Sequence, residues 1–356
     1  YSNSFSTLFQ EWQDYEEAQN TPKAFENCIL VPFPKEPVRV EVELTDRHGK
    51  VSSRISHLVS PDDILIRRIE PQPYEIRTIW QGGPVESTID IAILSEGYTA
   101  GEKDLFFADA ARARDALLGH APFSDRADDF AIRAVFAPSQ SSGPSIPHIG
   151  LWHNTLVDSH FGTFYIDRYL TSSSVQKVHD ALGTVPFEHI IIMVNTPVYG
   201  GGGIYNSLTI MGSGHPTFDQ VLVHEFGHAF GGLGDEYFYG EQTETPYPAD
   251  TEPWVPNITT LKDFASKWQD MLPAGTPIPT PVDSLEQVDV RRIWHTFTPE
   301  QKDLLNMKVG VYEGAGYQAH GVYRPVQECR MKINECERFC PVCTRAILRM
   351  IDYYTL

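Results

Sequence analysis

Basic residues are scarce in this chain: 28 Lys and Arg stand against 47 Asp and Glu, a formal net charge of −19 over 356 residues. A surface of that sign repels phosphate backbones and anionic headgroups, so neither nucleic acid nor an anionic membrane surface is an expected partner. Long apolar runs are missing too, none approaching the ~20 residues that cross a bilayer. The chain opens Tyr1-Ser2-Asn3-Ser4 without a charged-then-apolar leader, so a targeting segment is absent or was removed. Cysteine is sparse and uneven. Cys28 stands alone, whereas Cys329, Cys336, Cys340 and Cys343 crowd into one stretch, and an odd total leaves at least one without an intrachain partner.

What is present is concentrated around His224-Glu225-Phe226-Gly227-His228. Two imidazoles four residues apart lie on one face of a helix, where both reach a single divalent cation. Glu225 follows the first and approaches a metal-bound water as a general base. Thr217 and Gln220, just after Pro216, have the spacing of a capping box and mark the helix start. At about 100° per residue, Phe218, Leu222, Phe226, Ala229 and Leu233 form one apolar stripe, and the histidines fall on a different face. One side therefore packs in a core while the other presents ligands to a cleft. Gly231, Gly232 and Gly234 end the helix, and the turn lets an acidic residue swing back as third ligand. Asp235 is favoured and Glu236 is the alternative, the unused one orienting a ligand from behind. The helix start, stripe and glycine turn weigh against the plainer reading of buried histidines that only hydrogen-bond to backbone. The pattern points to a hydrolytic zinc centre with one coordination position open to water.

His224–Tyr237, Asp90–Tyr98, Tyr199–Asn206, Glu313–Tyr317, Tyr323-Arg324-Pro325 and Cys329-Arg330-Met331 together resemble the bacterial IgA-peptidase family of zinc metalloendopeptidases, which is metzincin-like. The resemblance covers roughly residues 80–356. It implies an endopeptidase with two His ligands, an acidic third ligand and a glutamate base; the immunoglobulin in the family's name does not carry over as substrate. Metzincin-like spacing puts the third ligand at Gly234, which cannot ligate, so Asp235 is read as displaced by one residue. Met331 resembles the methionine turn that floors such sites. A tyrosine near that turn often supports the oxyanion, and Tyr323 is the first choice for it, with Tyr317 second. For the clustered cysteines, one or two disulfides bracing the Met331 loop are the preferred reading. They imply an oxidising compartment and hence export, whether secreted, periplasmic or cell-surface. Free thiols and a structural zinc are the alternatives, the spacing matching no standard paired-knuckle pattern.

Along the chain, residues 1–78 read as a small β-rich, sandwich-like and truncated module, with strands at Val38–Leu44, Val51–Leu58 and Ile64–Ile69. Residues 79–356 read as an α/β (α+β) zincin- or metzincin-like catalytic domain. Strands are predicted at Thr88–Leu94, Ala131–Phe136, His189–Val194 and Ser207–Met211. Helices are predicted at Glu102–Leu118, Ser174–Leu182 and Pro341–Tyr354. An edge strand at Ser207–Met211 would bind extended substrate by backbone pairing. Gly200–Gly203 read as a flexible rim rather than a phosphate loop, because no Gly-Lys-Ser/Thr follows. Residues 246–281 hold eight prolines and, with a helix near Leu261–Met271, are expected to wrap the surface. Asn257-Ile258-Thr259 matches a glycosylation acceptor and is given no weight in a chain that resembles a bacterial family. The functional expectation is a zinc-dependent endopeptidase acting on extracellular or host proteins. Alternatives are a zinc hydrolase of a non-peptide amide, or a surface binding protein with a structural metal, against which Glu225 speaks.

Overall fold

A computed structural model describes residues 4–13, 15–46, 48–240, 247–283 and 290–355. Tyr1-Ser2-Asn3 of the chain opening and Pro246 lie outside the described residues. The N-terminal part carries two short helices, α1 (Leu8–Trp12) and α2 (Glu17–Asn20), then the antiparallel hairpin β1 (Val38–Thr45) and β2 (Val51–Val59). Among the described residues no second sheet covers this hairpin, whose strands are largely exposed. The strand expected at Ile64–Ile69 does not form. Among the described residues no backbone forms a ladder with it, and Ile64 and Leu65 stand in solvent.

The centre of the molecule is a six-stranded sheet in the order β3 (Glu75–Gln81), β5 (Phe130–Phe136), β4 (Ile89–Glu96), β6 (His189–Val194), β8 (Leu208–Gly212), β7 (Gly201–Ile204). The four inner strands are parallel and the two edges antiparallel. Inner strands read as near-continuous apolar runs because helices cover both faces. Ile91 and Ile93 point to one face, against α3 (Lys103–Leu118), α5 (Phe218–Gly231) and α8 (Pro341–Thr355). Ala92 and Leu94 point to the other, against α4 (Val175–Leu182). The remaining elements are α6 (Val290–Ile293), α7 (Pro299–Asn306) and the hairpin β9 (Tyr312–Ala315) and β10 (Gln318–Arg324).

This is a mixed α/β fold, and the long helices and inner strands lie where their periodicity puts them. Three segments differ. β3 straddles the expected boundary after residue 78 and pairs with β5, so the large sheet already begins at Glu75. The helix expected near Leu261–Met271 is reduced to 3₁₀ turns at Phe264–Ser266 and Gln269–Met271. Leu261 takes a left-handed φ of 65°, and the Lys267 ammonium is drawn inward to the carbonyls of Pro253 and Val255. Finally, β8 is not an edge. The glycine run before it forms β7, which is the edge.

Candidate metal centre

Helix α5 starts at its N-cap Thr217, though without the expected capping box: the Thr217 hydroxyl pairs with His215 Nδ1, 2.8 Å away. Phe218, Leu222, Phe226, Ala229 and Leu233 are all buried, as the stripe requires. At the far end Gly232 takes φ +62°, its N–H donating to His228 O, while Leu233 N–H donates to Gly227 O. The bond from a left-handed Gly232 to His228 O is the αL cap, and a side chain at Gly232 would be strained in it. The chain then reverses beneath the helix. Asn257, fully buried, holds the turn: its carbonyl accepts from Gly234 N–H (2.7 Å) and its amide donates to Gly234 O (2.9 Å).

This turn brings Asp235 against the two histidines. His224 Nε2 and His228 Nε2 lie 3.1 Å apart, and Asp235 Oδ1 is 3.1 Å from the first and 3.2 Å from the second. The other ring nitrogens face backbone carbonyls, His224 Nδ1 at 2.9 Å from Arg330 O and His228 Nδ1 at 2.5 Å from Leu233 O. A proton on each Nδ1 satisfies those carbonyls and leaves both Nε2 lone pairs aimed at one point. Bonds of ~2.0–2.2 Å to a common centre would separate tetrahedral donors by about 3.3–3.6 Å, so the observed triangle closes on a cation with shifts of a few tenths of an ångström. Electrostatics draws positive charge to the same point, so a proton on Nε2 competes there with a cation. Burial opposes charge on His228, but Asp235 outweighs it and pushes the imidazole up to about 9. Burial likewise opposes charge on Asp235, yet the two histidines hold its carboxyl well below the usual carboxylate range. The donor set therefore fits a divalent metal. Glu225 lines the same cleft, and among the described residues none hydrogen-bonds its carboxylate.

The family described as IgA Peptidase M64 matches residues 78–351, and the one described as Peptidase M64 N-terminus matches residues 1–56. The chain belongs to the IgA peptidase M64 family. It is accordingly a metallopeptidase, a hydrolase whose activity implies a bound metal. A comparison with curated proteins returns no match.

In this M64 peptidase the remaining predicted residues fall in different places. Met331 is fully buried beneath α5, close enough that a Cβ on Gly227 would meet its sulfur at 2.9 Å. Its carbonyl accepts from Glu236 N–H at 2.8 Å, tying the third-ligand loop to the methionine segment. Glu236 itself turns away from the histidines. Tyr323 is not among the cleft-lining residues; its backbone pairs with Thr259 and its ring packs against the main core. Tyr317 is brought to the cleft instead, its phenol donating to Asp235 Oδ2. It stands at φ 67° between β9 and β10, a tight reversal set by Gly314 and Gly316. Burial first, and Asp235 next, keep its phenol protonated far above the ordinary range.

Sequence reasoning missed Asn257, which had read only as a glycosylation match, and the N-terminal segment. Ser6 N–H donates to Tyr205 O (3.0 Å), Asn206 Nδ2 to Ser4 O (2.7 Å) and Tyr169 OH to Glu11 Oε2 (2.7 Å), so residues 4–11 wall the cleft that holds the histidines. No local signal marks either feature. Both depend on contacts between segments far apart in the chain.

Proposed function

We propose that this protein is a zinc-dependent endopeptidase whose metal is held by His224, His228 and Asp235. The convergence of those three donor atoms, with both Nδ1 positions already tied to carbonyls, carries the reading. Zinc suits two imidazoles and a carboxylate, and supplies Lewis acidity that acidifies water and polarises a carbonyl. Glu225 takes a proton from the attacking water and delivers it to the leaving amine, so that the peptide bond breaks with one water consumed. Tyr317, a neutral phenol at the same cleft, turns its single O–H from Asp235 Oδ2 toward the carbonyl oxygen as that oxygen gains charge. Met331 supplies an apolar floor. The outer edge of β7 offers backbone groups for an extended peptide, and Gly201, Gly202 and Gly203 add no side chains of their own there.

A protein substrate outside the cell is part of this proposal, and its support is no more than the family's printed description, IgA Peptidase M64. The cysteines no longer support export, because all five are free in this structure and the expected disulfides are not formed. The decisive experiment digests a diverse peptide library with wild type and with Glu225→Ala, alongside metal analysis. The variant is expected to keep its metal and lose at least ~10²–10⁴-fold in turnover. Near-normal hydrolysis by Glu225→Ala would mean another base operates, and no cuts by wild type would favour a non-peptide amide substrate.

A further inference from the structure

A second group of donors sits behind the first, facing away from the cleft. Glu236, Cys329, Cys340 and Cys343 are all fully buried, and one donor atom from each lies within 4.8 Å of every other. Cys329 Sγ and Cys343 Sγ are 3.9 Å apart, close to the ~3.8 Å edge expected of a tetrahedron with ~2.3 Å bonds to sulfur. Glu236 points into this group. Its Oε1 lies 2.9 Å from Asn257 Nδ2 and 3.1 Å from Cys343 Sγ, while its Oε2 has no hydrogen-bond partner. A fully buried carboxyl oxygen with nothing to accept from is costly, and this one belongs to a carboxyl grouped with three sulfurs.

Backbone N–H groups are directed at the sulfurs. Cys340-Pro341-Val342-Cys343 is a Cys-x-x-Cys turn at the N-terminus of α8, where unpaired N–H groups and the helix dipole favour negative charge. Cys340 N–H donates to Cys329 Sγ (3.3 Å) and Cys343 N–H to Cys340 Sγ (3.4 Å), each bond stabilising a thiolate. Cys336 is excluded from the group. Its sulfur faces Arg338 O in a separate cluster with Trp294 and Leu305.

We propose that Cys329, Cys340, Cys343 and Glu236 bind a second, structural cation of the thiophilic class, zinc in the first instance. A disulfide between Cys329 and Cys343 would use two of the donors and strand Cys340 and Glu236; a metal uses all four. Three soft sulfurs select zinc over magnesium or calcium. Binding exchanges the thiol protons for the cation, the sulfurs entering as thiolates. With four protein donors the site has no position for substrate. Its consequence is mechanical. It joins the start of α8, the segment carrying Met331 and the residue following Asp235, so the second ion fixes the loop that supplies a ligand to the first.

The test uses the full chain purified under reducing conditions. Zinc analysis is expected to give about two ions per chain in wild type and about one in His228→Ala. After exchange with cobalt(II), the near-ultraviolet sulfur-to-cobalt band is expected in wild type and in His228→Ala, and is lost in Cys340→Ser. A single ion in wild type with no sulfur–cobalt band overturns the proposal. So does intact-mass and peptide mapping that finds Cys329 joined to Cys343. Should Cys340→Ser fail to fold, wild type and His228→Ala still decide, since neither alters a cysteine. An unchanged ion count in His228→Ala would sink the catalytic site and leave this one standing.

Discussion

The two tyrosines of the downstream segment separate what a single phenol does. Tyr317 donates to Asp235, whereas Tyr323 spends its backbone on Thr259 and its ring on the core. Tyr317→Phe is therefore expected to lower kcat on the order of 10²-fold with KM little changed, while Tyr323→Phe stays near wild type. Steady-state kinetics on one cleaved peptide checks both. Were Tyr317 only to orient Asp235, its loss would appear as weaker metal affinity, and excess zinc would restore kcat. Equal rates for wild type and Tyr317→Phe would remove the phenol from the mechanism.

Among the elements, the pairing of β7 with α5 is the tightest constraint on the site. A Cβ on Gly203 would lie 2.0 Å from Glu225 O and 3.0 Å from His228 Cβ. No rotamer relieves a clash with helix backbone, so Gly203→Val must push the edge strand off the helix that carries both histidines and the base. A displacement of about 1 Å at reacting groups costs on the order of 10²-fold, so activity should fall at least that far. Gly101→Val, at a position with nothing within 4 Å, serves as the control and should match wild type in rate and thermal midpoint. Retained activity in Gly203→Val would show that β7 can move without disturbing α5.

For the whole molecule, the pressing variable is pH. His189 begins β6 and is buried against Phe226, Phe230 and Tyr354, its Nε2 without a hydrogen-bond partner. Burial alone pushes its imidazole down to about 3, against ~6.5 in an unfolded chain. The unfolded chain thus binds a proton that the native chain refuses between those values. Stability is complete above ~6.5 and lost as pH falls toward 3. His120 behaves alike, held to about 4 by burial and by Arg330. His189→Phe should leave stability at pH 8 nearly unchanged and gain about 2–3 kcal/mol over wild type near pH 4.5, read by denaturant titration at both pH values. Parallel pH profiles would show that His189 does not set the acid limit. The core residues Phe226 and Phe230 belong to α5, so acid unfolding started there dismantles the metal centre with the fold.

Some of this was settled by neighbours along the chain and some by neighbours in space. The shared helix face of His224 and His228, the glycine stop and the extent of α5 follow from 3.6-residue periodicity and from glycine's tolerance of left-handed backbone, both local properties. The inner strands declared themselves because burial on both faces makes them uniformly apolar. That residue 235 rather than 236 lies beside the two histidines was decided by how Asn257 pins the turn, and that Tyr317 rather than Tyr323 reaches the cleft by a reversal between two strands. The glycine run became an edge strand because α5 lies against it, and the clustered cysteines separated into three that face Glu236 and one that does not. Each of those outcomes turns on distances between segments remote in sequence. Local patterning carries no information about such distances; only the packed chain does.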